Sequence, residues 1–196
     1  MQERAQRTRR TLLDRATELL IEQGLEALNT NRVAELAEVR VATLYRYFDD
    51  KYDVLRTLAE EYLEAEAGWS TSLTDLADPE QPLGQVCEHM IEEYWQALRR
   101  YPAIGALRTA MRALPELRDL ETQSIERWEH ATATALVTRA PTLVRADARA
   151  IARLIVESIC NTLDRSLTLS AREQRRRRRA LTQMINAYLE TALPPS

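Results

Sequence analysis

The sequence predicts an all-α protein of about nine helices. Alanine, leucine, glutamate and arginine fill long stretches in which apolar residues recur every three or four positions, the period of an amphipathic helix. Only four glycines occur in 196 residues, and the polar–apolar alternation of strands is hard to find. Prolines fall where predicted helices begin, which is the position that helices tolerate best.

The first predicted helix spans residues 4–23. Its apolar stripe repeats at helical spacing, and Gly24 follows it as a helix terminator. The stripe is Leu12, Leu13, Ala16, Leu19 and Leu20. Four arginines precede or adjoin the stripe, and either contacts to a nucleic-acid backbone or ordinary solvation explains them. They are Arg4, Arg7, Arg9 and Arg10.

Residues 30–51 predict a helix-turn-helix. The first short helix begins behind Asn29 or Thr30, either of which can accept hydrogen bonds from its first amides. A break at residues 38–40 precedes the second short helix. The inward positions are Val33, Ala34, Ala37, Leu44 and Phe48. The outward positions of the second helix are Val41, Ala42, Thr43, Arg46 and Tyr47.

This stretch resembles the DNA-binding signature of the tetracycline-repressor (TetR) family of bacterial regulators. The matching residues are Asn29-Thr30, Val33-Ala34, Ala37 to Arg40, Ala42 to Phe48, and Lys51. Glu38 stands where the family usually has glycine, and a positive φ there costs a residue with a side chain about 1 kcal/mol. Arg40 replaces a small hydroxyl residue that caps the second helix. Ala42 replaces another glycine.

The resemblance implies a ligand-responsive transcriptional regulator, a repressor released from a near-palindromic double-stranded DNA operator by a small molecule. It implies a three-helix DNA-binding domain at residues 1–50, a connecting helix at 51–68 and an effector-binding and dimerisation domain at 69–196. The expected phosphate contacts are Thr30, Thr43, Tyr47 and Lys51. The expected contacts to base edges are Asn31, Arg40, Val41, Ala42, Tyr45 and Arg46.

Helices also fill the rest of the chain in this prediction. Asp49 and Asp50 cap the helix at 51–68, and residues 68–82 are loose and polar, as at a domain boundary. Further helices are predicted near residues 82–100, 102–113, 115–140 and 142–169. The last helix begins at the capping box Ser170-x-x-Glu173 and ends near residue 192.

Aromatic and methionine side chains predict an apolar ligand pocket, although ordinary core packing explains each of them equally well. The candidates are Tyr62, Trp69, Met90, Tyr94, Met111 and Trp128. Residues 79–170 contain 11 basic and 12 acidic side chains, so their charges do not indicate the charge of an effector.

The last two long helices are the predicted homodimer interface, with burial inside one chain as the alternative. Their stripes supply Ile151, Leu154, Ile155, Ile159, Leu181, Met184, Ile185 and Tyr188. The five consecutive arginines at 175–179 form either a patch for an anionic partner or a solvated face that meets nearby acids.

Signals for catalysis, metals or cofactors are weak. His89 and His130 are the two histidines of the sequence, no phosphate loop or nucleophile elbow occurs, and no cofactor is predicted. Cys87 and Cys160 predict small buried side chains in a reducing compartment, with a disulfide or redox sensing as the alternative. No stretch predicts a membrane span, so a cytoplasmic protein is expected. A ligand-binding or scaffold protein without operator specificity, or a small helical enzyme, remains an alternative.

Overall fold

A computed structural model describes residues 2–66, 71–101 and 103–194. Within these ranges the chain forms ten α-helices and two short 3-10 helices, and no strand occurs there. The α-helices are α1 Gln2–Gln23, α2 Thr30–Leu36, α3 Val41–Leu44, α4 Lys51–Glu66, α5 Thr71–Ala77, α6 Leu83–Arg100, α7 Ile104–Ala113, α8 Arg118–Arg139, α9 Arg145–Asp164 and α10 Ala171–Ala192. The 3-10 helices are Leu25–Ala27 and Pro115–Leu117.

The predicted all-α class is confirmed, and the described residues contain one helix more than the nine expected. The additional helix is α5, which lies in the stretch predicted to be loose. It buries Ser72 and Leu76 and packs against α6. Seven residues are too few to establish a helical period in the sequence, whereas one buried face is enough to hold a short helix in place. The predicted helix start at Pro102 lies outside the described residues.

The chain divides into two compact units. The first consists of Met1–Ala65 and Tyr101–Glu121, and the second of Glu66–Arg100 and Thr122–Ser196. In the first unit, α1, α2 and α3 pack their predicted apolar faces together. Leu12, Leu13, Leu44 and Phe48 are each at most 2% exposed, so the side chains of this stripe form the core as the periodicity predicted.

A charged group also lies in the core of the first unit. Arg108 of α7 is 1% exposed, and its guanidinium donates to the hydroxyl of Tyr62 at 3.3 Å. The carboxylate of Glu121 lies 3.7 Å from Arg108 and accepts from Nε of Arg112 at 2.9 Å. These contacts join α4, α7 and the start of α8 within the unit. The carboxylate of Glu121 and the ring and hydroxyl of Tyr62 offset part of the cost of burying this cation.

The second unit is built around α6, α9 and α10, with α5 against α6. Ser170 caps α10 by accepting from the amide of Glu173 at 3.3 Å, as the capping box predicted. Cys87 and Cys160 are both buried, as predicted. Burial raises the pKa of the Cys87 thiol to about 11. Across the described residues, no helix is both long and apolar enough to cross a membrane.

Candidate nucleic-acid interface and ligand cavity

The turn between α2 and α3 sets the direction of the second short helix. Oδ1 of Asn29 caps α2 by accepting from the amide of Arg32 at 2.9 Å. At the other end, the amides of Glu38 and Val39 donate to the carbonyls of Glu35 and Ala34, both at 3.0 Å. This pair of bonds is a Schellman ending, which requires a left-handed residue. Glu38 takes that conformation, with φ of 55°, so the family's turn geometry is kept without glycine.

None of the ten residues predicted to contact DNA is buried. Five are exposed, namely Asn31, Arg40, Ala42, Tyr45 and Arg46. Five are partly exposed, namely Thr30, Val41, Thr43, Tyr47 and Lys51. All of them lie in α2, in α3 and its flanking residues, or at the start of α4, and we call this set the α2–α3 surface. The inward residues Leu44 and Phe48 fix its orientation within the first unit.

The cations of the α2–α3 surface are largely free of intramolecular partners. Within the described parts of the chain, neither Arg40 nor Arg46 has an acidic side chain within ion-pair distance. Arg40 precedes α3 without capping it, as the loss of the small hydroxyl predicted. Lys51 lies 5.2 Å from the ring of Tyr52. These groups can therefore meet an anion without breaking an ion pair.

Hydrogen bonding also links the two helices at their outer side. The hydroxyls of Thr30 and Tyr45 lie 3.1 Å apart, which connects the start of α2 to the end of α3. Tyr45 is 52% exposed, so this bond holds an aromatic ring at the surface rather than in the core. An immobilised aromatic side chain loses little further rotamer freedom when it meets a partner.

The arginines near the amino end of α1 fall into two pairs. The guanidinium of Arg10 lies 2.8 Å from Glu61 of α4, and that of Arg9 lies 3.7 Å from the same carboxylate. Arg4 and Arg7 are exposed and make no ion pair with the described residues. Sequence reasoning missed Glu61 because the contact joins residues about fifty positions apart. Arg4 and Arg7 are thus the pair left available for phosphate.

The second unit contains a cavity between α5, α6, α8 and α9, with about 440 Å³ of space that includes its mouth to solvent. Its lining residues recur at helical spacing on each long helix. They are Ser72 and Leu73; Met90, Glu93 and Tyr94; Trp128 and Thr132; and Val156, Ile159 and Cys160. All ten of these residues belong to the second unit.

One carboxylate interrupts the mostly apolar lining of this cavity. Glu93 lies one helical turn from Met90 and next to Tyr94 on the same face of α6. Its Oε2 accepts from the hydroxyl of Ser72 at 2.5 Å and from the amide of Ser72 at 3.3 Å. Sequence reasoning missed both residues, although the i, i+3, i+4 spacing of Met90, Glu93 and Tyr94 was a readable signal.

Two family models match the sequence. The model described as bacterial regulatory proteins, tetR family, matches residues 12–58, and the model of the tetracyclin repressor-like C-terminal domain matches residues 82–189. The chain belongs to the TetR family of transcriptional regulators. The amino-terminal match covers the helix-turn-helix, and the second match covers most of the second unit. Members of the family are in general DNA-binding regulators rather than enzymes.

Solved structures of TetR-like regulators share the fold over nearly the whole chain. A transcriptional regulator from Rhodococcus sp. RHA1 has a TM-score of 0.69 at 15% identity, covering 95% of this chain and 99% of that one. The multidrug-binding protein EbrR, solved with imidazole, has 0.63 at 19%, covering 96% of both. The fatty acid degradation regulator FadR from Bacillus halodurans has 0.64 at 15%, covering 93% and 94%. No curated protein matched the sequence.

The residues predicted to contact a ligand do not all line the cavity. Met90, Tyr94 and Trp128 line the cavity of the second unit. Tyr62 and Met111 belong to the first unit, where they are 2% and 0% exposed. The ring of Tyr62 packs edge-on against Tyr101, with centroids 5.5 Å apart. Trp69 lies outside the described residues.

The residues predicted to form the dimer interface fall into an exposed group and a buried group. Leu154 and Met184 are each 53% exposed and Tyr188 is 37% exposed. The other five have almost no accessible surface because they pack inside their own chain, and they are Ile151, Ile155, Ile159, Leu181 and Ile185. Of these, Ile159 lines the cavity.

The arginine run on α10 points in several directions. Arg178 stacks over Trp95 at 4.7 Å from the ring centroid and lies 3.6 Å from Glu92. Arg177 lies 3.7 Å from Glu173 on its own helix. The other three arginines are exposed and have no acidic partner among the described residues, namely Arg175, Arg176 and Arg179. The run is therefore explained in part by acids of the same chain.

The histidines are not arranged as metal ligands in the part of the chain that the structure describes. Nδ1 of His89 lies 2.6 Å from the carboxylate of Asp75, and His130 is exposed on α8. No group of three or more potential metal ligands occurs among the described residues.

Proposed function

We propose that this protein is a homodimeric repressor that a small molecule releases from a near-palindromic operator. The α2–α3 surface is the observation that carries the proposal, because it presents Arg40 and Arg46, which have no acidic partner among the described residues, beside an exposed Tyr45. Cations that are not engaged in ion pairs favour phosphate and guanine, whereas paired ones must first be released.

The residues of this surface divide into two roles. Thr30, Thr43, Tyr47 and Lys51 hold phosphates and so fix the orientation of α3 in the major groove. The base-edge contacts come from Asn31, Arg40, Val41, Ala42, Tyr45 and Arg46. Of these, Arg40 and Arg46 suit guanine, while Val41 and Ala42 suit the methyl group of thymine. Two copies of α3 then read half-sites about 34–36 Å apart or slightly more.

The domain roles follow the same proposal. Residues 1–50 bind DNA, the helix at 51–68 connects, and residues 69–196 bind the effector and form the dimer. The exposed apolar side chains of α9 and α10 support this dimer, because Leu154, Met184 and Tyr188 would otherwise remain in water. A symmetric pairing of the two helices would bury all three twice.

The cavity of the second unit is the proposed effector site. Its apolar lining with one carboxylate is typical of small-molecule sites. EbrR, a multidrug-binding protein with the same fold, has been solved with imidazole, which supports a role for small molecules here. Release requires only that the effector favour the DNA-free state, and a coupling of about 1–3 kcal/mol changes operator affinity roughly 5- to 150-fold.

Selection from a random DNA library, followed by binding measurements over a range of salt concentrations, tests the proposal. The variant Arg46→Ala should bind the selected site about tenfold more weakly than the original chain, because it loses a base or phosphate contact. Arg176→Ala is the matched control, since Arg176 is also exposed and has no acidic partner in the described parts of the chain, but lies on α10. It should leave the affinity unchanged.

Three outcomes would contradict this proposal. Failure to enrich any sequence, together with tight binding of a small molecule, would support a ligand-binding or scaffold protein without operator specificity. If Arg46→Ala and Arg176→Ala weakened DNA binding equally, that binding would depend only on the total charge of the protein. We assign no catalytic role to any residue; turnover that is lost on substitution of His89 or His130 would require an enzymatic one.

A further inference from the structure

The charges around the cavity of the second unit are not balanced. Of the ten described residues that line it, Glu93 is the only ionisable carboxylate, and none is lysine, arginine or histidine. The residues whose side chains the structure does not describe contain no lysine, arginine or histidine either. The cavity lining therefore has a net negative charge, although the charges of residues 79–170 as a whole nearly balance.

Glu93 is held in place without being neutralised. Both bonds from Ser72 reach the same oxygen, Oε2, and they fix the orientation of the carboxylate. Among the described residues nothing donates to Oε1, and no cation lies within ion-pair distance of either oxygen. A hydroxyl and an amide stabilise a carboxylate but do not cancel its charge.

The remaining lining suits a flat organic cation. Trp128 and Tyr94 offer π systems, which attract cations within about 6 Å of the ring centre. Met90 and Cys160 add polarisable sulfur next to apolar Val156 and Ile159. A carboxylate-bearing ligand would instead bring a like charge to Glu93. A neutral ligand would remove Glu93 from water without supplying a counter-charge.

We propose that the cavity takes a small aromatic cation, with Glu93 as the group that recognises its positive charge. This inference rests on the proposed function, in which the same cavity is the effector site. The aromatic body lies against Trp128 and Tyr94, and its charged atom faces Oε1 of Glu93. No covalent or redox step is involved, so recognition depends on charge, shape and exclusion of water.

Three probes with the same three-ring outline separate charge from shape. They are 10-methylacridinium, which is cationic, acridine at pH 8, which is neutral, and 9-anthracenecarboxylate, which is anionic. Calorimetry on the full-length chain without DNA gives each affinity and avoids intercalation of the cation into a duplex. We expect 10-methylacridinium to bind about tenfold more tightly than acridine, and the anion to bind most weakly.

The variant Glu93→Gln keeps the shape of the side chain and its ability to accept from Ser72. It should reduce affinity for 10-methylacridinium about tenfold while leaving that for acridine within about twofold. Glu88→Gln is the matched control, because Glu88 is an exposed carboxylate on the same helix that does not line the cavity. It should change neither affinity. Thermal unfolding verifies that both variants are folded.

The order of the three probe affinities, measured on the original chain, tests the inference without any variant. The inference would be overturned if 10-methylacridinium did not bind, or bound no more tightly than acridine. It would also be overturned if Glu93→Gln lost the same affinity for both probes. Operator binding is measured separately on the same preparation. A chain that binds its operator and responds to the neutral or anionic probe keeps the proposed function and loses only the cationic ligand. A chain that selects no DNA site loses the proposed function itself.

Discussion

Each of the two units has charged side chains without an ion-pair partner among the residues that the structure describes, but their charges are of opposite sign and lie in different settings. In the first unit, Arg40 and Arg46 carry positive charge on an exposed helical surface. In the second, Glu93 carries negative charge in an apolar cavity. An exposed cation can contact a large polyanion, whereas a carboxylate in a cavity can contact only a ligand small enough to enter it. The setting of an unpaired charge thus indicates the class of partner.

The largest expected effect concerns the exposed apolar residues of the second unit. If Leu154 lies in a symmetric interface, Leu154→Glu places two carboxylates in it and should raise the dimer dissociation constant more than about a thousandfold. Analytical ultracentrifugation across a concentration series measures this change. The operator complex should weaken with it, because two linked reading helices bind far more tightly than one.

Ile21→Glu is the control for that experiment. Ile21 is 49% exposed on α1, so the change in charge and size is the same but lies in the first unit. It should not affect the dimer. A Leu154→Glu chain that remains dimeric at the lowest concentration would show that the interface does not include this face of α9.

The next effect distinguishes the buried charge of the first unit from its exposed ones. Arg108→Ala leaves the largely buried Glu121 with one cationic neighbour fewer, and should lower the free energy of unfolding by about 3 kcal/mol. Arg112→Ala should cost less than about 1 kcal/mol, because Arg112 is exposed and Arg108 stays in place. Urea unfolding measures both. Equal losses would mean that burial does not distinguish these two arginines.

The sequence predicted the helix-turn-helix in detail because its constraints are local. The cap at Asn29, the left-handed Glu38 and the inward pair Leu44 and Phe48 all depend on residues within a few positions of each other. Fixed spacing therefore specifies both the turn and the exposed surface. Elsewhere in the first unit, the pairing of Arg9 and Arg10 with Glu61 could not be predicted, because it joins distant parts of the chain.

The cavity could be predicted only in part, since four helices meet there. The pattern of aromatic and methionine residues singled out Met90, Tyr94 and Trp128, but such side chains line cavities and fill cores alike. The pattern could not separate Tyr62 and Met111, which are packed in the first unit, from the residues of the cavity. The sequence placed Ile159 in the stripe of the predicted dimer interface, and its position beside the cavity depends on how α9 packs.

A smaller effect tests whether the unpaired cations of the first unit read bases. Arg40 makes no side-chain cap and no ion pair with the described residues, so Arg40→Ala should leave stability unchanged. Its affinity for the selected operator should fall about tenfold, with less discrimination at one base pair of each half-site. Binding to operators substituted one position at a time measures this. Arg175→Ala on α10 is the control, and a uniform loss over all operators would instead assign Arg40 to phosphate.

The smallest expected effect lies at the turn that positions α3. Glu38 adopts φ of 55°, which a residue with a side chain reaches only at some cost in energy. Glu38→Gly should therefore raise the free energy of unfolding by about 0.5–1 kcal/mol, partly offset by the greater freedom of glycine in the unfolded chain. Glu35→Gly, one turn earlier in α2, should lower it by about 1 kcal/mol because that position is helical. Thermal unfolding distinguishes the two, and a loss at both positions would show that the side chain of Glu38 contributes more than its backbone costs.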